Sequence, residues 1–196
     1  MSIKPILFNT EMVRAILDGR KTQTRRVIKS KTVRASPFTP SGLEDRHGAE
    51  IKAKYEVDDT LWVREPSRVV ENNYLTFDAQ YLADKEFMWG LAVPERFISD
   101  NGDFPKWLTK CQGIPNGCIK EMARIFLKVT DVRVERLQDI SHDDVYAEGF
   151  PIDYYEKGGE NFRHWWIDLW NSTSKDGYKW EDNPYVFVYE FERVEK

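Results

Sequence analysis

The chain has 196 residues, 41% hydrophobic and 32% charged, a length that suits one domain and lets a full core form without disulfide or metal staples. It has two cysteines, no leader-like N-terminal segment and no run of about 18 apolar residues, which predicts a reduced, cytoplasmic setting without a membrane span and excludes the collagen-like, coiled-coil and wholly disordered classes. The net charge of −4 is uneven: the first 34 residues carry nine Lys or Arg against two acids, a balance of +7 that leaves −11 for the rest. A local anion site on an acidic protein is compatible with that polarity, because a phosphate feels charges within about 10 Å more than the distant total.

Taken in order, Lys4 to Phe8 is a short apolar run behind Pro5, and Asn9 and Thr10 are candidate caps of a helix over Glu11 to Asp18 that Gly19 ends. Arg20 to Ile28 alternates β-branched and polar residues as a strand does. Residues 30 to 56, rich in Ser, Pro and Gly, predict a mobile loop with little regular structure. Thr60 to Glu65 is a strand ended by Pro66, whereas 66 to 118 carries scattered aromatics and reads as an elaboration beside the core. Ala123 to Leu137 alternates well enough for one long strand or two short ones bent at Asp131, with one wet side. Ser141 with Asp144 has the form of a capping box opening a helix of about two turns that Gly149 stops. A second helix over about Glu160 to Asn171 and a closing strand over Tyr185 to Val194 complete the chain.

Several of these blocks, in this order, resemble the ASCH domain family, a branch of the PUA-like folds, and most of all its longer members often carried by phages and prophages. They are Gly19-Arg20-Lys21-Thr22-Gln23-Thr24-Arg25-Arg26, then Asp59-Thr60-Leu61-Trp62-Val63-Arg64-Glu65, then Ile140 to Phe150, then the aromatic closing strand. Asp58 stands where many members have glycine, which bears on the turn geometry alone. The resemblance implies an α+β fold, a small curved β-barrel flanked by helices, in a single domain over 1–196 with an insertion at about 66–118. It also implies binding of a nucleoside or RNA. Some small members hydrolyse the amide of N4-acylated cytosine nucleosides, such as N4-acetylcytidine, with a lysine, a threonine and a glutamate. Lys21 and Thr24 match that pattern by position and Glu148 is the candidate glutamate, with Arg20, Arg25, Arg26, Trp62, Arg64 and Glu65 as candidate substrate- or nucleic-acid-binding residues.

The residues allow that chemistry. A threonine hydroxyl is inert near neutral pH, but a desolvated lysine crowded by Arg20, Arg25 and Arg26 has its pKa pushed down and can take the hydroxyl proton. Glu148 can orient that lysine or protonate the leaving amine, while a nearby carboxylate also raises the lysine's pKa. In a regular strand a spacing of three sets Lys21 and Thr24 on opposite faces, so convergence requires a turn or bulge near Thr22 and Gln23. The bland alternative is a helix-end lysine and a strand threonine chosen for β-propensity. Trp62 either lines a cleft or packs. Cys111, Cys118, His47, His142 and His164 lack metal-ligand spacing, so no cofactor is expected. Two other readings stand beside the hydrolase. One is a noncatalytic RNA-binding module using Arg14, Arg20, Arg25, Arg26 and Lys29 as a surface stripe; the other is a ribonuclease, for which no histidine pair is evident.

Overall fold

A computed structural model of the chain describes residues 3–30, 32–156, 158–159 and 161–195. Lys31 of the basic run and Glu160, the expected start of the second helix, lie outside the described residues. In chain order the elements are β1 (Ile3–Leu7), α1 (Thr10–Leu17), β2 (Gln23–Val27), β3 (Arg34–Ala35), β4 (Leu43–Glu44), β5 (Thr60–Arg64), β6 (Ser67–Asn72), β7 (Thr76–Tyr81), β8 (Phe87–Ala92), α2 (Lys106–Thr109), β9 (Phe126–Arg136), α3 (His142–Ala147), α4 (Phe162–Thr173) and β10 (Tyr185–Val194). This is a mixed α+β fold with several sheets and few helices. The chain divides into two compact units, one of residues 18–59 and 128–192 and one of residues 2–17, 60–127 and 193–196.

In the first unit β10 pairs antiparallel with β2, setting Tyr189 opposite Thr24 and Val188 opposite Arg25. The core of this unit packs Val186 and Val188 of β10 against Leu137, Val145, Phe150, Trp166 and Trp170, so α3 and α4 bury their apolar sides on the strands. Ser141 caps α3 as its sequence predicts: its hydroxyl accepts from the Asp144 N–H at 3.1 Å, and the Asp144 carboxylate accepts from the Ser141 N–H at 3.0 Å. Gly149 follows at φ 98°, in the left-handed region that glycine enters without steric cost. Asn161 caps α4 through its side chain, at 2.7 Å from the Arg163 N–H. Asp58, in a glycine position of the resembled family, has φ 69° and ion-pairs with Lys128 at 2.9 Å. Asp is among the few residues that tolerate that conformation.

Among the described residues of 30–56 regular structure is sparse, as expected, and consists of the short antiparallel hairpin of β3 and β4. β9 runs unbroken from Phe126 to Arg136, the one long strand of the two alternatives. One expectation changes: the closed barrel is absent, because among the described residues no sheet closes on itself. β2 ends its strand order, and just before it an isolated antiparallel bridge joins Lys21 to Glu148.

In the second unit β1 pairs parallel with β5, and β6, β7 and β8 form an antiparallel sheet in that order. The segment 66–118 therefore contains a sheet, and Phe77, Ala79 and Tyr81 of β7 share a core with Leu108 inside the segment and with Trp62, Ile119 and Met122 outside it. Its strands were hard to read because bulges between Val69 and Glu71 and between Phe77 and Ala79 break the two-residue period. Asn9 caps α1, accepting from the Met12 N–H at 2.8 Å.

Candidate functional site

The N-terminal end of β2 holds the densest buried charge in the first unit. Strand alternation sends Gln23 and Arg25 to one face, and both reach α3. The Gln23 amide donates to the Asp144 carboxylate at 2.9 Å and to its backbone carbonyl at 3.0 Å. Lys21 precedes the strand, and its Nζ donates to the Glu148 carboxylate at 2.7 Å and to the Glu148 carbonyl at 3.0 Å. The two side chains are 0% and 1% exposed.

Arg25 holds the other side of the same carboxylate, its Nη1 lying 3.2 Å from Glu148 Oε1. Its Nη2 meets Glu135 at 2.9 Å and Asp144 at 3.2 Å. Both acids then meet Arg133 of β9, at 2.6 Å and 3.2 Å, and Arg133 also pairs with Glu190 and Asp131. Charges alternate from the enclosed Lys21 outward to the half-exposed Glu190 and Asp131. Burying ions costs several kcal/mol each unless they are paired and hydrogen-bonded, which accounts for the density of contacts. Arg25 Nε is the exception: it is buried and without a hydrogen-bond partner among the described residues. The guanidinium lies 5.9 Å from the Trp166 ring centre.

These environments set the charges. Burial pulls the Lys21 ammonium below the usual lysine range; Glu148 opposes it, and Arg26 and Arg25 add to the lowering. Burial alone would raise Asp144, yet the hydrogen bonds from Ser141 and Gln23 and the charge of Arg25 outweigh it and hold the carboxyl down at about 2. Burial also lowers the half-buried Arg26, against Tyr55, Glu148 and Tyr189, which favour its charge.

Of the residues singled out in the sequence, Lys21, Glu148 and Arg25 come together. Thr24 is buried at 2% and by strand alternation shares the other face of β2 with Arg26. Arg26 acts on Lys21 through its charge, which adds to the lowering that burial imposes on the ammonium. Arg20 donates to Asp18 at 2.7 Å and to the carbonyls of Gly149 at 2.9 Å and Phe150 at 3.1 Å, tying the turn after α1 to the end of α3. Arg25 is enclosed and cannot belong to a surface stripe. Trp62, Arg64 and Glu65 belong to the second unit. There Trp62 packs in the core, Arg64 lies 6.0 Å from its ring centre, and Glu65 binds Arg124.

Sequence reading missed Glu135 and Arg133, whose alternation with valines reads as a wet strand face. They are half-buried instead, because β2 and α3 present the opposite charges. Asp144 was legible only as a cap, and it serves as cap and ion partner at once.

No family model and no curated protein matches the chain. Among solved structures, the chain is similar to the ASCH domain from Lactobacillus crispatus JV V101, at 12% identity and a TM-score of 0.39, over 100% of this chain and 81% of that one.

Proposed function

We propose that the protein is an ASCH-type protein that engages a nucleoside or RNA and removes the acyl group from N4-acylated cytosine nucleosides. One observation carries the reading: Lys21 and Glu148, the lysine and glutamate of the resembled pattern, stand 127 residues apart in the chain and meet at 2.7 Å in a buried pair. Burial favours the neutral amine that a proton acceptor needs.

In this reading, which requires the Thr24 hydroxyl to reach Lys21 Nζ from the face of β2 opposite Arg25, Lys21 takes its proton as the threonine oxygen attacks the acyl carbon. The bond from that carbon to N4 breaks, the Lys21 ammonium returns the proton to the departing cytosine amine, and the acyl group rests on Thr24 as an ester. Lys21 then takes a proton from water, whose oxygen attacks the ester carbon; the bond from that carbon to the Thr24 oxygen breaks to release the carboxylic acid, and the Lys21 ammonium returns the proton to the Thr24 oxygen. Glu148 fixes the Nζ position throughout. Tyr146, Tyr154 and Tyr155 around Phe150, just beyond Glu148, supply aromatic surface suited to a base.

The near-complete enclosure of Lys21 and Glu148 favours a second reading, a noncatalytic binding module in which the pair is structural. An ultraviolet assay with N4-acetylcytidine separates the two. Turnover to cytidine by the wild type and none by Lys21→Ala supports the hydrolase; no turnover by either leaves the binding module.

A further inference from the structure

In the pairing of β10 with β2, Tyr189 stands opposite Thr24. Side chains directly opposite in an antiparallel pair share one face, with Cβ atoms about 4.5–5.5 Å apart. The Tyr55 ring meets the Tyr189 ring edge-on, at 5.0 Å between centres, and all three residues are buried. The Thr24 face of β2 is therefore closed in part by a residue from outside the two strands. Arg26, two residues past Thr24 on that face, is half-buried, and Tyr55, Glu148 and Tyr189 all favour its charge, which in turn acts on Lys21. The tyrosine pair thus stands within electrostatic reach of the group that links it to Lys21 and Glu148.

Tyr55 comes from the stretch of chain that leaves the sheet at Ile28, whose N–H donates to the Tyr185 carbonyl at 3.0 Å, and rejoins it at Asp58, whose N–H donates to the Val129 carbonyl at 2.9 Å. Within it, residues 34–51 form a body of their own. Among the described residues their hydrogen bonds stay inside the segment: β3 pairs with β4, the Ser36 N–H donates to the Gly42 carbonyl at 2.9 Å, the Ile51 N–H to the Leu43 carbonyl at 3.2 Å, and the Ser41 N–H to the Glu50 carboxylate at 3.1 Å. Leu43 and Tyr55 are the buried apolar side chains of 34–55. Tyr189 fastens the segment to the sheet, its hydroxyl accepting the N–H of Lys54 at 3.2 Å and that of Tyr55. A segment that satisfies its own backbone leaves few groups unpaired when it lifts, and such segments open at less than the cost of global unfolding.

We infer that residues 34–55 are a lid over Thr24, latched by the Tyr189 hydroxyl, that lifts to let an N4-acylated cytosine reach the threonine. A base cannot reach a threonine that is 2% exposed, so the reaction needs an opening, and this segment is the one built to provide it. What enters rests on the hydrolase reading, whereas the opening itself does not. The test therefore follows opening without turnover. Thr24→Cys sets a thiol at the covered position, in a Cys111→Ser background that removes the exposed native thiol and leaves the buried Cys118 of the second unit as an internal reference.

An aromatic disulfide reagent should label the Thr24→Cys thiol at least about tenfold faster than Cys118, at a rate that low urea leaves unchanged, because lifting a lid exposes far less surface than unfolding. Tyr189→Phe keeps the ring and removes the acceptor, so it should speed that labelling about tenfold, the scale of one or two lost hydrogen bonds, with Cys118 unaffected. Amide exchange in the unsubstituted protein gives an independent reading that needs no variant to fold: peptides within 34–55 should exchange together and ahead of those from β9 and β10. Labelling of both thiols at one rate with a shared urea dependence, or exchange of 34–55 in step with β10, overturns the lid. Labelling that Tyr189→Phe leaves unchanged overturns the latch. Opening without hydrolysis of N4-acetylcytidine sinks the hydrolase alone, and hydrolysis without opening sinks this inference alone.

Discussion

Each unit buries a glutamate against an arginine, and the two arrangements differ in how completely they close. In the second unit Arg124 uses all three guanidinium nitrogens: Nε and Nη2 grip the Glu65 carboxylate at 2.9 Å and 2.8 Å, Nη2 also reaches Asp84, and Nη1 reaches Glu86 at 2.7 Å. Its carbon lies 3.9 Å from the Tyr81 ring centre. Burial opposes the Arg124 charge, but these acids outweigh it and hold the guanidinium well above its usual range, so Arg124 keeps its proton, while burial pushes the Glu65 carboxyl up against the pull of Arg124. In the first unit Arg25 leaves Nε unpaired, and Glu148 is shared with a lysine whose amine is pulled downward. An arginine clamp with every donor used is a fastening; a desolvated lysine on a shared carboxylate can exchange a proton. Buried charge alone does not mark a functional site, and the titratable member of the cluster makes the difference.

The largest expected stability loss comes from breaking either glutamate. Glu65→Ala takes the fully buried carboxylate from Arg124, and Glu148→Ala takes one from Lys21 and Arg25 together, each at a cost of up to about 3–5 kcal/mol in chemical denaturation, moderated by the acids that remain on the two arginines. Lys21→Met separates the two regions more sharply: beyond the stability cost of leaving the buried Glu148 carboxylate to Arg25, it should lower hydrolysis of N4-acetylcytidine per folded molecule by about 10²- to 10⁴-fold, the usual contribution of a proton acceptor. Arg124→Met should show the opposite pattern, a stability loss with hydrolysis per folded molecule unchanged.

Acid titration gives a smaller effect. Asp144 is held at about 2 against an ordinary 3.8, so the unfolded chain takes up its proton first as pH falls. The stability Asp144 adds is complete above 3.8 and lost as pH drops toward 2, and Gln23→Ala should narrow that window in a denaturation series. Lys21 has the opposite form. Because its folded pKa is lowered, the unfolded chain binds more protons just below the ordinary 10.5, and stability rises with pH in that interval. That rise should vanish in Lys21→Met.

Much of the first unit was legible because its signals are local. The Ser141 and Asp144 cap, the Gly149 stop and the alternation of the closing strand each declare themselves within a few residues. Lys21 and Glu148 were legible as candidates through the resembled blocks, but their contact spans 127 residues and no local pattern encodes it. Glu135 and Arg133 were misread because alternation reports which residues share a face and is silent on what that face meets. The sheet of β6 to β8 was missed for a different reason, since its bulges and its buried Ser67 and Gln80 disrupt the pattern that would announce it.

The proposed hydrolysis turns on the protonation of one amine, which heteronuclear NMR of the Lys21 ¹⁵Nζ can follow across a pH titration of the intact protein. A midpoint below the ordinary 10.5, moving further down in Glu148→Gln as the opposing carboxylate charge is removed, is the predicted result. A midpoint at or above 10.5 would make the pair a fastening like that of Arg124 and Glu65, and would contradict the role of Lys21 as proton acceptor.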